Sequence, residues 1–182
     1  MRIKNINEIA RCVLSCSDTC PDFLELIDDY DYFDDVHGYL SEENALALIT
    51  ESYERSELGQ LLPQMFYFSN ISTISETVFA AIMSYSVKEI QQDILIALSH
   101  CRISFYQLDI ICRKKICIEA FAALLDIYLN ESCFSTVDLS KLLCENTEFI
   151  HGIAWDMVLA NEKLERNKIE IIQEYVSLNT GG

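Results

Sequence analysis

Ile116-Cys117-Ile118-Glu119-Ala120-Phe121-Ala122-Ala123-Leu124-Leu125-Asp126-Ile127-Tyr128-Leu129 is the stretch on which the fold turns. Ile118, Phe121, Leu125 and Tyr128 recur at spacings of three and four, which gathers them on one side of a helix. Glu119 and Asp126 interrupt the run, and a membrane span needs about 18 or more apolar residues in a row, so the stretch predicts a core helix. Its Phe-Ala-Ala also occurs 42 residues earlier, in Phe79-Ala80-Ala81-Ile82-Met83-Ser84-Tyr85. Each copy precedes a second helical segment, near Asp93–Leu98 and Asp138–Leu143. A period of about 40 to 47 residues is that of HEAT or armadillo helix pairs, which must stack to bury their faces. A compact irregular bundle is the other arrangement open to the same helices.

Outward from this stretch the chain reads as helix after helix. Asn5–Ser15 carries Ile6, Ile9, Val13 and Leu14 at helical spacing, and Pro21 fits the start of a following helix. Ser41 is a candidate N-cap for Glu42–Arg55, whose apolar side is Ala45, Leu46, Leu48, Ile49 and Tyr53. Glu57–Phe68 follows, with Pro63 expected to start or kink it. Ser72–Tyr85 comes next, and Ser86-Val87-Lys88-Glu89 has the form of a capping box opening the helix of Ile90, Ile94, Ala97, Leu98 and Cys101. Ser104–Lys115, Ser135–Glu145, Thr147–Ala160 and Lys163–Leu178 complete the series.

With 182 residues, 51% hydrophobic, only 5 Gly and 2 Pro, and no Asn-Gly or Asp-Gly hairpin turn, the chain is expected to be all-α. It reads as a single helical domain over 1–182. An acidic N-terminal part covers 1–57, candidate stacked pairs 72–160 and a C-terminal helix 163–178. Glu8 falls before any apolar run can form, so no secretion signal is expected. The 8 cysteines are therefore expected to be reduced, in the cytoplasm, acting as small buried hydrophobes. Cys12, Cys16 and Cys20 would line one side of a helix.

Enzyme templates fail on the residues themselves. Glycine at 38, 59, 152, 181 and 182 alone leaves no phosphate-cradling loop and no nucleophile elbow. The Cys12-x3-Cys16-x3-Cys20 spacing lacks the tight knuckles of structural zinc, and Asp34 stands where a calcium loop opening at Asp29-x-Asp31 needs glycine. Glu148-x-x-His151 and Asp34-x-x-His37 have the spacing of a carboxylate-bridged di-metal bundle, with Glu119 or Glu76 as further ligands, but nothing marks these specifically. His100 and Cys101 are neighbours that diverge on a helix. Trp155 reads as a core or interface anchor. No enzyme, cofactor or metal is expected.

The formal charge of −16 disfavours a nucleic-acid partner, which calls for a basic surface. Between Asp18 and Glu57 one base, Arg55, stands against thirteen acids, a net charge of −12. The densest part is Asp28-Asp29-Tyr30-Asp31-Tyr32-Phe33-Asp34-Asp35, continued by Glu42 and Glu43. Acids interleaved with aromatics have the make-up of an interface with ring anchors and a charged surround, steered towards a basic partner.

Together with the Phe-Ala-Ala helices at Phe79 and Phe121, this acidic run gives a chain that resembles bacterial immunity proteins of contact-dependent inhibition and other polymorphic toxin systems. The resemblance lies in overall character and carries no shared motif. It implies a non-enzymatic protein that binds a cognate basic toxin domain, such as a nuclease, through Asp28, Asp29, Tyr30, Asp31, Tyr32, Phe33, Asp34, Asp35, Glu42 and Glu43. A HEAT-like adaptor or chaperone for a basic cytosolic protein is the alternative.

Overall fold

A computed structural model describes residues 5–17, 36–130, 135–160 and 164–180. Serine hydroxyls set many of its helix starts. Ser41, Ser75, Ser104 and Ser135 each accept a backbone N–H from two or three residues on, all at 3.2 Å, satisfying donors that the first turn leaves open. Among the described residues the helices are α1 (Ile6–Ser15), α2 (Glu42–Glu51), α3 (Ser56–Tyr67), α4 (Glu76–Met83), α5 (Lys88–Ala97) and α6 (Phe105–Arg113). Then come α7 (Ile118–Leu129), α8 (Thr136–Glu145), the single turn α9 (Thr147–Ile150), α10 (Trp155–Leu159) and α11 (Arg166–Thr180). The fold is all-α. Among the described residues the one β feature is an isolated bridge between Asn5 and His37.

Several boundaries differ from the sequence reading, each for a local reason. The capping box expected at Ser86–Glu89 does not form: α5 starts one residue late, with Val87 as an N-cap that offers no side-chain bond. The reciprocal box occurs at Ser104, whose N–H donates to the Gln107 carboxamide oxygen at 2.9 Å. Pro63 lies inside α3 rather than at its start. The helix expected over 147–160 is split at Gly152, where glycine weakens a helix by about 1 kcal/mol. The helix expected over 42–55 ends at Glu51, where the Ser52 hydroxyl turns onto the Ile49 carbonyl and the Tyr85 hydroxyl.

The chain forms two compact units, residues 1–98 and 99–182. In the first, α2 packs on α4 and α3 on α5, so alternate helices lie together, and α1 packs on α2 and α3. Gly59 lets α3 and α5 approach closely: a Cβ there would meet the Tyr85 hydroxyl at 3.1 Å and Ile90 Cδ1 at 3.2 Å. Arg55 Nη1 donates to the Val13 carbonyl at 3.0 Å, capping the end of α1.

In the second unit, α6 packs on α7 and α8, while α11 packs on α8 and α10. Phe121, Leu125 and Tyr128 of the expected stripe are buried and Ile118 half-buried, and Leu124 widens the buried face. Each such side chain contributes about 1.5–3 kcal/mol on leaving water. Between α6 and α7 the chain reverses through Lys115 and Cys117, both with positive φ (53° and 37°). The buried Lys168 ammonium donates to the Leu129 carbonyl at 2.6 Å, a cation at the negative end of α7, with Glu165 at 3.4 Å.

Candidate functional site

Positioning of the acidic surface begins with Asn7 on α1. Its Oδ1 accepts from Ser41 N and Asn44 Nδ2, both at 2.8 Å, and its Nδ2 donates to the Tyr39 carbonyl. The strand-like link before α2 is held as well: Ile6 N donates to the His37 carbonyl at 2.9 Å and Asn70 N to the Gly38 carbonyl at 3.0 Å. Gly38 has φ +102°, a conformation that side chains with a Cβ rarely adopt. These bonds fix where α2 starts, and Ser41 as N-cap places Glu42 and Glu43 in its first turn. Both are exposed, and the helix dipole stabilises them there. Glu51, Glu54 and Glu57, further along, are exposed too.

Of the interface residues read from the sequence, Glu42 and Glu43 are thus exposed together at one helix start. Asp28, Asp29, Tyr30, Asp31, Tyr32, Phe33, Asp34 and Asp35 lie outside the described residues, as does the helix expected after Pro21.

Two aromatics that the sequence reading did not assign to the surface flank α2. Tyr39, ahead of it, is 66% exposed. Tyr53, just after it, is 51% exposed, which corrects its expected place on the apolar side. The correction follows from the early end of α2, which carries Tyr53 off the helical face. Its ring instead stacks on Tyr85 at 5.0 Å, and its hydroxyl donates to the Ser84 carbonyl at 3.3 Å. A cleft of about 390 Å³ lies beside it, lined by Tyr53, Glu54, Gln60, Tyr85, Val87 and Ile90. A smaller, open apolar pocket of about 230 Å³ adjoins Tyr39 and Glu42, lined also by Leu40, Phe66, Ile74 and Val78.

The remaining chemistry-bearing residues are dispersed. Glu148 and His151 are both exposed, and the Glu148 carboxylate pairs with Lys115 Nζ at 2.9 Å, which holds its pKa below the usual value. His100 is exposed and Cys101 buried, but both lie in the turn after α5, which ends at Ala97, and not on the helix expected to carry them. Among the described residues no three His, Cys, Asp or Glu side chains converge as a metal site would require. Trp155 is buried, with its ring against Tyr175 at 5.7 Å.

Cys101, Cys112 and Cys117 are buried as expected, and burial pushes the first two thiols up to about 11 and about 12. Cys144 departs from that expectation and is exposed, because α8 turns Leu139, Leu142 and Leu143 inward instead. Cys12 and Cys16 are half-buried, with Cys16 just past the last residue of α1; Cys20 and Cys133 lie outside the described residues.

Among the described residues no helix is long and apolar enough to cross a membrane. Comparison of the chain with protein-family models, curated proteins and solved structures returns no match.

Proposed function

We propose that the chain is a non-enzymatic immunity protein that binds a cognate basic toxin domain and neutralises it by covering a surface the toxin needs. The observation that carries this reading is the charge surplus of −12 between Asp18 and Glu57. Its described acids Glu42, Glu43, Glu51, Glu54 and Glu57 all face solvent. Concentrated like charge destabilises a free monomer by self-repulsion, a cost that a basic partner relieves. The same charge steers encounter, with on-rates up to about 10⁸–10⁹ M⁻¹s⁻¹ at low salt. Exposed Tyr39 and Tyr53 offer ring anchors beside the acids. A cytoplasmic site of action belongs to this reading.

The second reading is a HEAT-like adaptor or chaperone for a basic protein. The packing of α2 on α4 and α3 on α5 favours it, since stacked helix pairs bring alternate helices together.

Co-expression with the C-terminal domain of whatever protein the adjacent upstream reading frame encodes tests both. Survival of otherwise poisoned cells, with a salt-sensitive 1:1 complex, is the expected result. A complex without rescue transfers the weight to the adaptor. The absence of both complex and rescue overturns the immunity reading.

A further inference from the structure

Cys12 and Cys16 bring their Sγ atoms to 4.0 Å of each other at the C-terminal end of α1. Residues four apart on a helix hold their Cβ atoms about 5–6 Å apart, slightly wide of the about 3.5–4.5 Å of a disulfide. Cys16 stands beyond the last helical residue, with φ −95° and ψ 151°, so closing that gap deforms only the end of the helix. Both thiols are half-buried and therefore reachable from solvent, whereas Cys101, Cys112 and Cys117 are enclosed. We propose that Cys12 and Cys16 form a dithiol site that reduces a small-molecule disulfide and is itself closed into a disulfide at the C-terminal end of α1.

The thiolate of one cysteine attacks a sulfur of the small disulfide, forming a mixed disulfide and expelling one small thiolate. The second cysteine then attacks the protein sulfur of that mixed bond, forming Cys12–Cys16 and expelling the second thiolate. Two electrons pass from the pair to the small disulfide, and the two protons the cysteines lose are taken up by the departing thiolates. The closed bond lies two residues ahead of Asp18, where the acidic run begins. The site stands independently of the immunity reading.

Glutathione disulfide serves as the probe, on the folded chain in a Cys144→Ser background that removes the exposed thiol of α8. Intact mass is expected to show a product lacking two hydrogens and carrying no glutathione. Cys12→Ser and Cys16→Ser should each abolish that product and leave one retained glutathione, while Cys20→Ser leaves it unchanged. Persistence of the product in Cys16→Ser, its loss in Cys20→Ser, or accumulation of mixed disulfides alone overturns the assignment. Phenylarsine oxide gives a second readout on the chain with Cys12 and Cys16 intact. One arsenical should be captured per chain, with at least a tenfold loss of that capture after treatment with glutathione disulfide; no capture counts against the pair.

Discussion

The two units of the molecule differ threefold in net negative charge. Residues 1–98 hold seventeen acids against five bases, a net charge of −12, while residues 99–182 hold twelve against eight, a net charge of −4. In the second unit Arg113 bridges Asp109 at 2.9 Å and Glu145 at 3.3 Å, Lys115 pairs with Glu148, and Arg166 with Glu170. In the first, Glu42, Glu43, Glu51 and Glu54 face solvent, and Arg55 gives a hydrogen bond to the Val13 carbonyl. Cations of the second unit meet its own acids in these pairs, and the first unit carries three times the net negative charge. Such a surplus has a use when another molecule supplies the opposite charge.

The sharpest way to probe the second unit is its core. Phe121→Ala removes a fully buried ring from α7 and is expected to cost about 3–5 kcal/mol in urea unfolding followed by Trp155 fluorescence. Phe79→Ala, at the matching position of α4, should cost a similar amount in the helical circular-dichroism signal. If Phe79→Ala moves the Trp155 transition as far as Phe121→Ala does, the two units unfold together and the contrast is one of surface alone.

Lys168→Met tests whether a cation is needed inside the less acidic unit. It deletes the charge-assisted bond to the Leu129 carbonyl, and a loss of about 1.5–3 kcal/mol is expected in the same assay. An unchanged midpoint would mean that Lys168 packs as a hydrocarbon stem and its ammonium adds nothing.

Alkaline pH acts on the second unit through its buried thiols. Cys101 and Cys112 are raised from 9.0 to about 11 and about 12, chiefly by burial, with Asp109 adding to Cys112. The unfolded chain therefore gives up these protons first, so the stabilisation is complete below pH 9.0 and is lost as pH rises towards the folded values. A loss of about 1 kcal/mol per thiol is expected by pH 10. Cys112→Ala should flatten that limb of a stability–pH curve.

At the surface, reversing Asp28, Asp29, Asp31, Asp34 and Asp35 together with Glu42 and Glu43 to lysine is expected to weaken capture of a basic partner at least tenfold. Reversing Glu145 and Glu148 of the second unit should leave capture unchanged. Equal effects from the two sets would reduce the contrast to net charge without location.

Helix content was legible because its signals are local: the stripe of Phe121, Leu125 and Tyr128 and the serine at position 41 sit within a few residues of what they determine. What escaped depends on distant groups. Asn7 ties α1 to the start of α2 across more than thirty residues, and no spacing rule marks an asparagine for that role. Tyr53 reads as core because the sequence does not mark the end of α2 at Glu51, a stop favoured by the bond of Ser52 to the Tyr85 hydroxyl 33 residues away. Ser86 and Ser104 have the same capping form, and only the register of the following helix separates the box that closes from the one that does not. The acidic run was legible as composition, and Glu42 and Glu43 keep their place at its edge.

The smallest expected effect is also the most direct on the comparison. Raising salt from about 0.05 M to 0.5 M shortens the screening length to a few ångström. In the first unit this weakens repulsion among solvent-facing acids, so the folded state should gain a few tenths of a kcal/mol, up to about 1. In the second it weakens attraction within exposed pairs such as Lys115–Glu148 and Arg166–Glu170, so the change should be near zero or of opposite sign. Hydrogen exchange resolves the two, with amides of α2 and α3 reporting the first unit and amides of α6 and α8 the second. Protection that rises in α2 and α3 alone identifies the surplus as a strain carried by the free protein. Protection that rises equally in both would attribute the effect to salt acting on apolar burial, and the acids of the first unit would then cost the fold nothing.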